Sequence, residues 1–187
     1  ALKYPDWMAN APQKRGISPG LGSPTPTPTM APQSDLSALK HFTTTKIPNE
    51  WVNPIVASAQ KYKLDPNILA SLLFSESGFN PKAQRQSVDE NGNLIPGEFD
   101  RGIAQINSRW HPEITDAQAY DPNFAIGWAA QTVANHYKNF NDMNRAIAAY
   151  NVGPGGANIH GPSKAGLGPR GQYYVNKIAR GISPGYR

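Results

Sequence analysis

Carboxylates come first, because glycoside, phosphate and proton-transfer chemistry all lean on them. Most acids of this chain stand among polar neighbours, where a solvated surface acid would stand. Glu76 does not. It closes the apolar run Ile68-Leu69-Ala70-Ser71-Leu72-Leu73-Phe74, with Gly78 and Phe79 just beyond it. If that run is helical, Glu76 faces the negative end of the helix dipole and loses water to apolar neighbours. Both effects favour the protonated carboxyl, the state a general acid needs near neutral pH. A glutamate that merely ends a helix in water is the commoner case, so position alone leaves both readings open.

Other chemistries find less support. There is no cysteine, which removes disulfides, thiolate metal sites and a thiol nucleophile. His41, His111, His136 and His160 are far apart and lack metal-ligand spacing, so neither a metal nor a cofactor is expected. Gly153-Pro154-Gly155-Gly156 lacks the Lys-Ser/Thr of a phosphate loop and reads as a helix exit.

The elements that would position Glu76 are mostly helical. Trp51, Val52, Ile55, Val56, Ala59 and Tyr62 recur at three- and four-residue spacing, one face of an amphipathic helix. Asp65-Pro66 is a cap followed by a proline where its missing N–H costs nothing, and Gly78 is a natural helix stop. Asp121-Pro122 repeats the start signal for a helix to about Phe140. Asn141 or Asp142 caps another through Tyr150 to Gly153, and a last helix covers Gln172 to Ala179. Between Asn80 and Asp100 the helical period vanishes, and Asn91-Gly92 marks a tight turn in a loop or small hairpin.

The 187 residues suffice for one domain with a full core plus an appendage. With 18 prolines and 17 glycines, part of the chain is expected to be non-globular. Composition changes near residue 45. The segment Gly22-Ser23-Pro24-Thr25-Pro26-Thr27-Pro28-Thr29 favours extended polyproline-like backbone and cannot bury a core. Residues 1–45 therefore read as a Pro/Thr/Gly-rich arm or linker and 46–187 as the domain. A chain starting near Lys46 is expected to keep the fold, and the arm to serve placement on a larger assembly. No basic-then-apolar leader precedes Ala1, so the chain reads as a fragment or processed product. No apolar run is long enough for a membrane span. The net charge of +5 suits an anionic partner, but the basic residues are scattered, and nucleic acid is not expected. Arg15-Gly16-Ile17-Ser18-Pro19-Gly20 recurs letter for letter as Arg180-Gly181-Ile182-Ser183-Pro184-Gly185. Two copies so far apart make no repeat architecture.

Four stretches change the weight given to Glu76. Glu76-Ser77-Gly78-Phe79-Asn80-Pro81, Gly102-Ile103-Ala104-Gln105-Ile106-Asn107, Ala149-Tyr150-Asn151-Val152-Gly153-Pro154 and Tyr173-Tyr174-Val175-Asn176-Lys177-Ile178 occur in that order. Together they resemble the motifs of lytic transglycosylases with a goose-lysozyme-like (SLT-type) catalytic domain, over about residues 46–180. Asp100 to Pro112 looks nearest to small specialised members found in phage particles and in conjugation or secretion machines. The resemblance implies a mainly α, lysozyme-like helical domain with a small irregular or hairpin wing behind an extended arm. It implies cleavage of the β-1,4 bond between N-acetylmuramic acid and N-acetylglucosamine of bacterial peptidoglycan, leaving 1,6-anhydro ends and opening the wall locally. Action in the periplasm or cell wall follows, with carriage in a phage particle as one route there.

Carried over residue by residue, the resemblance makes Glu76 acid and then base. Ser77, Gln105 and Asn151 supply hydrogen bonds to sugar groups, Tyr150 orients Glu76 through its hydroxyl, and Tyr174 lines the cleft. One departure is Ala104, where a larger apolar residue is usual; a smaller side chain there is expected to widen the site. Trp110 is the best aromatic candidate for sugar contact. Ordinary glycosidases use two carboxylates, and Glu98 and Asp100 are the nearest rivals to a lone Glu76. If either faces Glu76, a goose-type lysozyme-like hydrolase is the alternative. A non-catalytic wall-binding or structural component is the third reading, against which the intact Glu76, Gln105 and Tyr150 speak.

Overall fold

Three aspartates set the helical frame. Asp65, Asp121 and Asp142 each accept a hydrogen bond from the backbone N–H two residues on, at 2.8, 2.9 and 2.9 Å, satisfying amides that a helix start leaves unpaired. A computed structural model of the chain describes residues 36–89, 91–157 and 167–183. A 3-10 turn at Leu36–Leu39 precedes α1 (Asn49–Tyr62) and α2 (Pro66–Ser77). The wing follows as β1 (Gln84–Val88), β2 (Leu94–Arg101) and β3 (Ile106–Asn107), one antiparallel sheet in the order β1-β2-β3. Then come α3 (Asp116–Ala119), α4 (Pro122–Phe140), α5 (Met143–Gly156) and α6 (Gly168–Arg180). The expected class, mainly helical with a small hairpin wing, is the one observed. Among the described residues no helix is long and apolar enough to cross a membrane.

Helix α2 lies at the centre. Leu69, Ala70, Ser71, Leu72 and Leu73 are buried in succession, the all-round pattern of a core helix rather than a one-faced surface helix. Around it α1 buries Val52, Ile55, Val56 and Ala59, and α4 and α5 bury mostly alanines. Alanines let helices approach closely. Gly171 of α6 does the same against α5, where a Cβ would stand 3.3 Å from the Ala148 methyl. Helix α5 kinks at Gly153 (φ 72°), and Pro154 restarts it, so the helix continues past the stop read from sequence.

Residues 38–43, which the sequence reading assigns to the arm, pack against α2. Asn67, at the start of α2, donates to the Ala38 carbonyl and accepts from the His41 N–H, each at 3.1 Å. Leu39 is buried, and Phe42 makes edge contacts with Phe74 and Phe79, centroids 6.1 and 5.8 Å apart. The second copy of the duplicated hexapeptide closes on this segment. Thr43 N–H donates to the Gly181 carbonyl, Ile182 bridges Phe42, and Ser183 N–H donates to the His41 carbonyl at 2.7 Å. A Cβ on Gly181 would overlap the Ser71 hydroxyl, so glycine is required there by space. The first copy, Arg15 to Gly20, and the Pro/Thr run lie outside the described residues.

A chain starting at Lys46 should therefore lose about 3–5 kcal/mol, the cost of emptying sites such as those of Leu39 and Phe42. Its melting temperature should fall by about 10 °C against a chain starting at Gln33. Calorimetry of the two checks this; equal melting temperatures would return residues 33–45 to the arm.

Candidate active site

Glu76 sits in the last turn of α2, where the sequence placed it. Gly78 (φ 64°) ends the helix, and the next residue, Phe79, is also left-handed at φ 65°. That backbone costs a bulky residue about 1–2 kcal/mol. Burial of the Phe79 ring against Phe42 and Phe74 offsets it. The aromatic cluster fixes the chain direction just past Glu76.

Helix α6 clamps that turn from one side. Tyr174 donates its hydroxyl hydrogen to Glu76 Oε1, and the Lys177 ammonium donates to the Ser75 carbonyl at 2.9 Å. The wing clamps it from another. The Ser77 hydroxyl donates to the Ile103 carbonyl at 2.8 Å and accepts from Asn80 N–H. Ile103 belongs to the tight turn Gly102 to Gln105, which leaves β2, and the Tyr150 hydroxyl of α5 donates to the Ala104 carbonyl in the same turn at 2.7 Å. Glu76 thus lies where α2, α5, α6 and the end of β2 converge.

Burial pushes the Glu76 carboxyl above its ordinary value, against the Tyr174 hydrogen bond and the Lys177 and Arg85 charges, while the Asp100 charge adds to the rise. Burial and the neighbouring Glu76 charge raise both Tyr150 and Tyr174 well above the ordinary phenol value. Both tyrosines are therefore neutral hydroxyl donors throughout the physiological range.

One assignment moves. The expectation gave the orientation of Glu76 to Tyr150, but the hydroxyl that meets the carboxyl is that of Tyr174. Tyr150 instead holds the Gly102–Gln105 turn and packs edge-on against Trp128, centroids 6.0 Å apart. Gln105 adopts φ 50°, and its side-chain nitrogen donates to the Gly102 carbonyl at 2.9 Å. Its side-chain oxygen keeps no protein partner among the described residues. Asn151 Oδ1 accepts from Arg170 at 3.2 Å. Ala104 is fully buried, so its methyl group does not line an open cleft. Trp110 is 58% exposed, with the Arg109 guanidinium 5.3 Å from its ring.

The two rival acids sit on one face of the sheet. Asp100 faces Arg85 across β1 and Asn107 across β3. Arg85 donates to it at 2.8 Å and Asn107 at 2.9 Å. Glu98 is buried, accepting from Arg109 at 3.3 Å and Asn107 at 3.4 Å. Sequence reasoning missed Arg85, Asn107 and Lys177. No group of three or more His, Cys, Asp or Glu among the described residues could hold a metal ion.

A family model, the Transglycosylase SLT domain, matches residues 53–164, which include Glu76, Gln105 and Tyr150. The chain belongs to the transglycosylase SLT domain family. A transglycosylase of Enterobacteria phage PRD1 is 25% identical over 134 residues, 72% of this chain. The chain spans only 43% of that relative's length. Among solved structures, lytic transglycosylase Slt of Pseudomonas aeruginosa, determined as an inactive mutant, aligns with a TM-score of 0.49. It is 18% identical, over 68% of this chain and 22% of that one.

Proposed function

We propose that this SLT-domain chain is a peptidoglycan lytic transglycosylase. It cleaves the β-1,4 bond between N-acetylmuramic acid and N-acetylglucosamine and leaves a 1,6-anhydro end. The reading is carried by Glu76, an acid shifted toward its protonated form by burial and met by the Tyr174 hydroxyl, with no second carboxylate bonded to it among the described residues. Glu76 gives its proton to the glycosidic oxygen, and the bond to the anomeric carbon breaks with its electron pair on that oxygen. The muramic acid C6 hydroxyl then bonds the anomeric carbon and returns its proton to Glu76. One carboxyl suffices because the nucleophile belongs to the substrate, whereas hydrolases on a two-carboxylate plan need a second.

Gln105 and Asn151 bind sugar polar groups in this scheme. Ser77, whose hydroxyl already serves Ile103 and Asn80, orients the Gln105 turn against Glu76. Supported by the phage relative, the enzyme acts at the wall, reached through the periplasm or carried in a phage particle; the N-terminal arm tethers it to a larger assembly in this reading.

A goose-type hydrolase is the second reading, favoured by one arrangement: Asp100 stands in β2 just before the Gly102–Gln105 turn that Ser77 pins beside Glu76. Mass spectrometry of muropeptides from digested peptidoglycan separates the two. Anhydro-muropeptides should dominate; mostly reducing-end products would move the chain to the hydrolases.

A further inference from the structure

One side of α6 meets the site with a regular stripe. Arg170, Tyr174 and Lys177 follow one another at four- and three-residue spacing, so their side chains leave the helix in one direction. Tyr174 meets the Glu76 carboxyl, Lys177 donates to the Ser75 carbonyl at 2.9 Å, and Arg170 Nε donates to Asn151 Oδ1 at 3.2 Å. No acid stands anywhere in α6. Asn151 directly follows Tyr150, whose hydroxyl holds the Gly102–Gln105 turn, so the pair of Arg170 and Asn151 stands at the edge of the catalytic site.

An arginine donates hydrogen bonds and cannot accept them. Asn151 must therefore turn its side-chain oxygen to Arg170 and its Nδ2 hydrogens the other way, where a sugar oxygen can take them. Arg170 spends only its Nε hydrogen on this contact. It is exposed, forms no ion pair among the described residues, and keeps its Nη edge for a further acceptor. A planar guanidinium edge with unspent hydrogens matches a carboxylate. Muramic acid, unlike glucosamine, carries a lactyl group ending in a carboxyl, either free or extended by a stem peptide with carboxylates of its own. We propose that Arg170 is a specificity-determining residue, whose guanidinium binds a carboxylate carried on the muramic acid while Asn151 holds the sugar beside it. The proposal rests on the reading of the chain as a peptidoglycan-cleaving enzyme.

The test is kinetics of the full chain on soluble peptidoglycan strands and on the same strands with their carboxyls converted to amides. For the wild type, amidation should raise KM about tenfold, the size of one exposed charge-assisted contact, with kcat within about twofold. Arg170→Gln keeps an amide hydrogen for Asn151 but loses the charge and the fork. It should raise KM on the unmodified strands about tenfold and bring the ratio of the two KM values close to one. Equal KM values for the wild type on the two substrates would overturn the proposal. So would a wild-type ratio retained in Arg170→Gln, because general attraction to the basic surface would survive that substitution. Strands stripped of stem peptides by an amidase, which keep the lactyl carboxylate, identify the source. A wild-type KM near that of unmodified strands assigns the lactyl group, and one near that of amidated strands assigns the stem peptide. The underlying reading fails separately, if the wild type leaves unmodified strands intact or Glu76→Gln cleaves them as fast.

Discussion

Glu76→Gln should reduce peptidoglycan cleavage by about a thousandfold or more at every pH, since general acid–base transfer supplies about that much and the amide can neither donate nor retrieve the proton. The fold should survive. Tyr174 can still donate to the amide oxygen, and the amide matches the protonated carboxyl in shape. Stability adds an independent sign. The folded-state pKa of Glu76 is raised by burial, so the unfolded chain releases this proton more readily. Wild-type stability therefore falls as pH rises from the ordinary carboxylate range through the raised pKa, and the glutamine variant escapes that loss. The variant's melting temperature should equal the wild type's at low pH and exceed it at higher pH. Near wild-type digestion by the variant would remove Glu76 from the mechanism.

Much of the frame behind Glu76 is legible because it is written locally. Asp65-Pro66, Asp121-Pro122 and Asp142 are caps whose partners lie two residues away, and Gly78 stops α2 by its own backbone conformation. Features that failed to show in the sequence depend on distant partners. Phe42 and Leu39 look like part of a polar arm until Asn67 and the Phe74–Phe79 cluster are beside them. The wing is a hairpin about Asn91-Gly92, but Pro96 and Gly97 (φ 74°) make a bulge. Only Ser87 separates Gln86 from Val88, whereas Ile95, Pro96, Gly97 and Glu98 separate their partners Leu94 and Phe99. Counting outward from the turn would therefore not bring Arg85 opposite Asp100.

Helical period supports Tyr174 over its neighbour Tyr173 as the cleft tyrosine. Gly171, Tyr174, Val175 and Ile178 recur at helical spacing and form the buried face of α6, which leaves Tyr173 66% exposed. That period selects Tyr174 as the inward hydroxyl. It does not say that this hydroxyl, rather than the one on Tyr150, meets Glu76. That follows from how α5 and α6 pack, with Tyr150 diverted to the Ala104 carbonyl.

Gly102→Ala should be the most damaging small substitution near the site. Gly102 has φ 72°, and an added Cβ would overlap the Ala119 carbonyl oxygen and stand 3.0 Å from its carbonyl carbon. Ala119 is fully buried and its oxygen is backbone, so it cannot swing aside as a side-chain tip would. The alternative is to move the turn itself. Gly102 N–H holds the Ala83 carbonyl at 2.8 Å, and its own carbonyl accepts from both Gln105 nitrogens, so a moving turn takes Gln105 and the end of β2 with it. Forced overlap in a packed interior, added to a left-handed alanine, should cost about 3 kcal/mol or more. The melting temperature should fall by about 6–12 °C, and activity should drop even where the protein remains folded. Gly97→Ala supplies the control, because Gly97 has φ 74° with nothing within 4 Å of an added Cβ. It incurs the backbone strain alone, about 1–2 kcal/mol. Thermal melts of the two variants decide the cause: a cost for Gly102→Ala no larger than for Gly97→Ala would mean that conformation, and not the close approach to Ala119, demands glycine at the entrance to the Gln105 turn.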